Sequence, residues 1–183
     1  LRIDDKKMSK SLNNFISVKN ILKNFHPEVL RLFFLSTHYR NPITYSKEAL
    51  ENAKKILDRF YSIFSEIIIP TNFTEDESIK KSFISALEDD FNSPQAIHIV
   101  QAFAKDSEKE EKIDLNKLGT LKSLLNSLGL LKDKSDNYFR YGESNLSDGE
   151  IENLISERNK AREDGNFELA DQIREQLISN DIV

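Results

Sequence analysis

Apolar residues recur three or four positions apart along nearly the whole chain, and the runs are separated by helix start and stop signals rather than by the alternation of a strand. A chain so patterned is expected to be all-α, each helix burying one stripe against its neighbours. Ser17 can cap a short helix reaching about residue 24, with Val18, Ile21, Leu22 and Phe25 on one face. Pro27 suits the first position of a second helix over 27–35, apolar enough to be largely buried. Residues 38–45 then break the pattern, because Pro42 lacks an amide donor and drives Asn41 toward an extended conformation.

Ser46 is placed to cap a long helix from 47 to about 68, whose core stripe is Leu50, Ala53, Leu57, Phe60, Tyr61 and Phe64. Thr74 with Glu77 has capping-box spacing and predicts a helix to about residue 90. Asn92 followed by Pro94 starts another, through Ala96, Ile97, Val100 and Phe103, and the charged run 105–112 reads as a frayed or solvated helix end. Helical spacing returns over 115–128, ended by Gly129 and slightly weakened by Gly119. Residues 132–146 show no sustained period and read as a surface connection, the best internal boundary. Beyond it, Ser147 and Glu150 form a second capping box, Gly165 ends that helix and Asn166 caps a last one, so an antiparallel hairpin is expected. The opening, 2–15, reads as a loop. Only Ile67-Ile68-Ile69 is ambiguous between a helix end and a short strand.

What the composition excludes narrows the chemistry. There is no cysteine, hence no disulfide and no thiolate zinc site, and His26, His38 and His98 lack metal-ligand spacing, so no metal site is expected within the chain. No Gly-rich phosphate loop, dinucleotide fingerprint or hydrolase triad order is present, and no apolar run approaches the length of a membrane span. No secretory signal opens the chain, which predicts a cytoplasmic location. The charge is uneven: residues 1–60 hold twelve Lys/Arg against six Asp/Glu, whereas 61–183 hold fourteen against twenty-five. That asymmetry fits an anionic partner meeting the front half, and equally an uneven solvated surface.

One segment stands apart, Lys7-Met8-Ser9-Lys10-Ser11 followed by Leu12-Asn13-Asn14-Phe15. Two ammonium groups three residues apart on a hydroxyl-rich stretch can reach a polyphosphate, Ser9 and Ser11 can add hydrogen bonds, and Met8 supplies an apolar anchor. Such a clamp would neutralise charge on ATP phosphates as a carboxylate attacks the α-phosphate.

These five residues match the KMSKS signature of class I aminoacyl-tRNA synthetases. Ser36-Thr37-His38-Tyr39-Arg40, then Tyr45-Ser46 and Ala49-Leu50, resemble the cysteinyl-tRNA synthetase family, as does Ala86-Leu87-Glu88-Asp89-Asp90-Phe91-Asn92-Ser93-Pro94-Gln95-Ala96. Arg158-Asn159-Lys160-Ala161-Arg162 with Asp164, Phe167, Ala170, Asp171 and Arg174 carries the similarity to the last hairpin. The resemblance implies ATP-dependent attachment of cysteine to tRNA(Cys), with ATP carrying magnesium, Lys7 and Lys10 catalytic, and Lys10, Lys7, Met8, Ser9 and Ser11 contacting ATP. It divides the chain into a KMSKS loop and stem-contact region (1–45), a helical anticodon-binding bundle (46–131), a linker (132–146) and a C-terminal hairpin of that bundle (147–183). It implies a monomer, and places the family's zinc in a catalytic domain outside these residues. The family's nucleotide-binding fold, its His-x-Gly-His turn and its Trp-containing tail have no counterpart here, so the stretch is expected to be part of a longer chain and to form no adenylate alone. Asn13 stands where the family usually has glycine.

For tRNA phosphates the candidates are Arg31, Arg40, Lys47, Lys54, Lys55 and Arg59, against an ordinary surface role in which Arg31 pairs with Glu28 and Lys54 with Glu48, Glu51 or Asp58. Tyr39 and Tyr45 could stack on bases or close a core, and His38 could meet a phosphate or serve as a hydrogen-bonded structural residue. Two rival readings exist. The 147–179 hairpin also resembles the partner-binding hairpin of nucleotide-excision-repair proteins, and residues 7–11 would equally suit a ligase joining cysteine to an aminosugar.

Overall fold

The computed structural model describes residues 15–65, 67–107, 114–142 and 148–179, together with the strand backbone of 2–3 and 6–7. Among these residues the fold is helical, with nine helices and one minimal sheet. Two compact units are formed, 1–141 and 142–183.

The first unit begins with strands β1 (Arg2–Ile3) and β2 (Lys6–Lys7). Helix α1 (Val18–Ile21) follows, with the Ser17 hydroxyl accepting from the Asn20 amide. Helix α2 (Pro27–Leu35) opens on Pro27 as the sequence predicts, and the His26 ring accepts from the Glu28 amide as its cap. After the 38–43 turn comes β3 (Thr44–Tyr45), which pairs in parallel with β1, while β1 pairs antiparallel with β2; the order is β2-β1-β3. Where the sequence reads 2–15 as loop, two residue pairs thus have strand geometry. A strand of two residues is too short to show alternation, and its partner lies forty residues away.

Helix α3 (Lys47–Ile63) is capped by Ser46, whose hydroxyl accepts from the Ala49 amide at 3.1 Å. It stops five residues short of the expected end, and 67–70 is neither helix nor strand. Three consecutive β-branched isoleucines followed by Pro70 disfavour helix there. Helix α4 (Glu77–Glu88) is capped by Asp76, not Thr74. Tertiary partners win over the local box: the Thr74 amide donates to Asn116, and Glu75 accepts from Lys80 and Ser123. Helix α5 (Ser93–Ser107) has the expected Asn92 cap, accepting from the Gln95 amide. Helix α6 (Leu115–Ser127) ends at Gly129, which takes a left-handed φ of 75°. Gly119 lies inside it because the Phe73 ring sits where a Cβ would be, 2.5 Å away. A short helix α7 (Ser135–Phe139) follows.

The core of this unit joins Val29, Leu32 and Phe33 of α2 to Leu50, Leu57 and Phe60 of α3, and continues through Phe83, Ile97, Val100, Leu121 and Leu125 of α4 to α6. Burial of such side chains is worth roughly 1.5–3 kcal/mol each and dominates the stability of the bundle. Residues 132–141, read from sequence as the start of a connection, pack into this unit. The Tyr138 ring stacks on Tyr61 with centroids 3.9 Å apart, and its hydroxyl donates to Asp58 at 2.7 Å.

The second unit is the hairpin of α8 (Asp148–Glu163) and α9 (Phe167–Ser179). Gly165 is left-handed (φ 75°), and the Asn166 side chain accepts from the Leu169 amide to start α9. Ala161, Ala170, Ile173 and Leu177 are its buried contacts. Ser147, expected to cap α8, lies outside the described residues.

Candidate functional site

Met8, Ser9, Lys10 and Ser11 lie outside the described residues, and Lys7 is described only as the last residue of β2. What can be built is the frame that leads into them. β2 is held by β1 and β1 by β3, which continues from the 38–43 turn, so the strand that ends at Lys7 is tied through the sheet to the helical bundle. The anchor is apolar on one side: Ile43 and Tyr45 pack against the core, with the Tyr45 ring edge-on to Phe33 at 6.3 Å.

On its other side the anchor is ionic. Asp90, in the corner between α4 and α5, receives Arg40 Nε at 2.6 Å, Arg40 Nη2 at 2.9 Å and the Tyr39 hydroxyl at 2.7 Å, with His38 Nε2 at 3.9 Å. His38 also accepts from the Arg40 amide, so it is a hydrogen-bonded structural histidine. The Arg40 hydrogen bonds, then that of Tyr39, hold the Asp90 carboxyl at about 2, and the clamp stays ionised where an ordinary aspartate near 3.8 would protonate. The same bonds raise the Tyr39 and Arg40 pKa values. Sequence reasoning assigned neither Asp90 nor this clamp, because its halves lie fifty residues apart.

The six cationic candidates separate. Lys47, Lys54, Lys55 and Arg59 all lie on α3 and are exposed, Lys47 and Lys54 beside the buried stripe of Leu50, Ala53, Leu57 and Phe60 and Lys55 and Arg59 farther round the helix. Lys47 pairs with Glu51 at 3.5 Å and Lys54 with Asp58 at 3.0 Å, i,i+4 pairs on the helix surface that each contribute little to stability. Lys55 is exposed, and Arg59 borders a small hollow of about 70 Å³ with Ile56, Phe60, Gln101 and Ala104. Arg40 gives its Nε and Nη2 to Asp90 and is otherwise exposed. Arg31 lies across Gly129 on α2 instead of pairing with Glu28. Glu28 is buried, and its oxygens accept from the Leu131 and Lys132 amides and the Tyr61 hydroxyl. Burial is the main cause pushing the Tyr61 and Tyr138 hydroxyls up, reinforced by Glu28 and Asp58 respectively.

Residues 1–55 match the model of the class I (C) tRNA synthetase catalytic domain, and residues 82–132 match the DALR domain. The whole chain is 40% identical over 186 aligned residues to a cysteine–tRNA ligase of Hydrogenovibrio crunogenus. It belongs to the cysteinyl-tRNA synthetase family. Two further cysteine–tRNA ligases, from Methylococcus capsulatus and Francisella tularensis subsp. novicida, are 39% and 38% identical, again over the full chain. The chain spans 40% to 42% of the length of these cysteinyl-tRNA synthetase relatives. The catalytic-domain match takes in the sheet, α1, α2 and the first half of α3, and the DALR match runs from within α4 to just past α6. Among the described residues no group of three His, Cys, Asp or Glu could hold a metal, and no helix is long and apolar enough to cross a membrane.

Proposed function

We propose that this chain supplies the KMSKS segment and tRNA-facing helices of a cysteine–tRNA ligase, which activates cysteine with ATP and transfers it to tRNA(Cys) in the cytoplasm. The observation that carries the reading is the 40% identity along the entire chain to such a ligase, with Lys7-Met8-Ser9-Lys10-Ser11 inside the part matched by the catalytic-domain model.

In this reading the cysteine carboxylate attacks the α-phosphate of magnesium-bound ATP and pyrophosphate leaves. Lys10, with Lys7, Ser9 and Ser11, neutralises the charge that builds on the phosphates, and Met8 anchors the segment through its apolar side chain. The exposed cations of α3, Lys47, Lys54, Lys55 and Arg59, meet the tRNA backbone, with Arg31 and Arg40 flanking them. The proposed domain order is 1–45 for the KMSKS and stem-contact region, 46–131 for the bundle and 147–183 for the hairpin, in a monomer, with 132–146 joining the last two and its first ten residues packed on the bundle. Among the described residues no cluster of side chains fits a zinc ion. The DALR match favours a tRNA ligase over an aminosugar ligase, which has no anticodon to read.

The test is made in the full-length protein. Lys10→Ala removes a charge-assisted contact worth about 2–4 kcal/mol in the transition state, so cysteine-dependent ATP–pyrophosphate exchange should fall roughly 30- to 1000-fold while tRNA affinity holds. Equal losses in both measurements would refute the role given to Lys10.

A further inference from the structure

The corner between α4 and α5 is built at a steric cost. Asp90 and Phe91 are both left-handed, with φ of 51° and 52°. Consecutive non-glycine residues in that region are strained, and a corner that only reversed the chain could use glycine at either position. Here the conformation aims a carboxylate at three consecutive side chains of the 38–40 turn. Asp90 takes both forks of Arg40 and the Tyr39 hydroxyl, and it lies 3.9 Å from His38.

From Arg40 the backbone path is short and stiff. The Asn41 amide closes the turn onto the His38 carbonyl at 2.8 Å, Pro42 fixes the next φ, and Ile43 enters the core. Thr44 and Tyr45 then pair with Arg2 and Ile3, which pair in turn with Lys7 and Lys6. A bonded and packed route therefore runs from Asp90 to the strand that ends at Lys7.

We propose that Asp90 is a positioning residue for adenylate formation: by clamping Tyr39 and Arg40 it sets β3, and through the sheet it sets the strand from which residues 7–11 depart. The inference rests on the ligase reading above. Exposed ion pairs add little stability, so the effect of this one is on direction, which a two-pronged Arg–carboxylate contact fixes well.

In the full-length protein, Asp90→Ala, Arg40→Ala and the double variant are compared by cysteine-dependent ATP–pyrophosphate exchange, an assay that contains no tRNA. Each single variant should lose roughly 10- to 100-fold in kcat, the scale of a misplaced reacting group, with KM for cysteine unchanged. The double variant should be no slower than either single one, because the two groups act as a unit, and Asp90→Glu should regain part of the loss. Wild-type exchange in Asp90→Ala, additive losses in the double variant, or a KM for cysteine rising in step with the loss would each overturn the proposal. If Asp90→Ala fails to fold, Tyr39→Phe removes one contact without touching the backbone; a smaller drop in kcat supports the route, and no drop overturns it. Absence of cysteine-dependent exchange in the wild-type full-length protein would instead overturn the ligase reading itself.

Discussion

At Gly129 the chain leaves α6 in a left-handed turn, which lets the Leu130 amide reach back to the Leu125 carbonyl at 3.0 Å. The bare Cα also leaves room for the Arg31 guanidinium, which a methyl group would meet. The end of an arginine can swing aside, so backbone strain is the larger cost of adding one. Gly129→Ala should therefore destabilise the first unit by about 1–2 kcal/mol, seen as a lower denaturant midpoint at constant m-value. An unshifted midpoint would show that the turn tolerates a side chain. The same contact explains why Arg31 and Glu28, three residues apart, ignore each other: each is claimed by the 129–132 segment.

The start of α2 shows how an element can depend on a distant one. Glu28, in its first turn, looks like a solvent-facing helix residue, yet it is buried and ends the 130–132 backbone by accepting the amides of Leu131 and Lys132, both at 2.8 Å. Glu28→Ala leaves those two donors and the Tyr61 hydroxyl without an acceptor and should cost about 3 kcal/mol or more in urea unfolding, with Glu28→Gln losing less. A cost below about 1 kcal/mol would mean that water replaces the carboxylate freely. Local signals were readable in the sequence because they act within a few residues: Ser17, Pro27, Ser46, Asn92, Gly129, Gly165 and Asn166 all do what their positions predict. Readings failed where a distant partner decides. Thr74 yielded the cap to Asp76 while its amide bonds Asn116 on α6, residues 135–139 became helix under the Tyr61 ring, and β3 exists as the partner of a strand more than forty residues earlier. The candidate site divides in the same way. Residues 7–11 declare themselves by their order alone, whereas the Asp90 clamp joins two segments that no local pattern connects. Asp89-Asp90-Phe91-Asn92 could be noticed as a resemblance, but its physical purpose needed the corner and the turn in one frame.

Taken as a molecule, the chain is a helical bundle that carries a small sheet, and a two-helix hairpin with four well-buried side chains among the described residues. Its cationic excess is confined to the first sixty residues, which overlap the part that matches the catalytic domain. The distribution of aromatic residues has a practical result. The chain has no tryptophan, and its five tyrosines, Tyr39, Tyr45, Tyr61, Tyr138 and Tyr141, all precede residue 142. Intrinsic emission is consequently an optical gauge of the bundle alone, dimmed while Tyr61 and Tyr138 donate to carboxylates and brightened when those bonds open. On heating, circular dichroism should begin to lose helical signal from the thinly packed hairpin before tyrosine emission rises, and coincident curves would show that the two units melt as one.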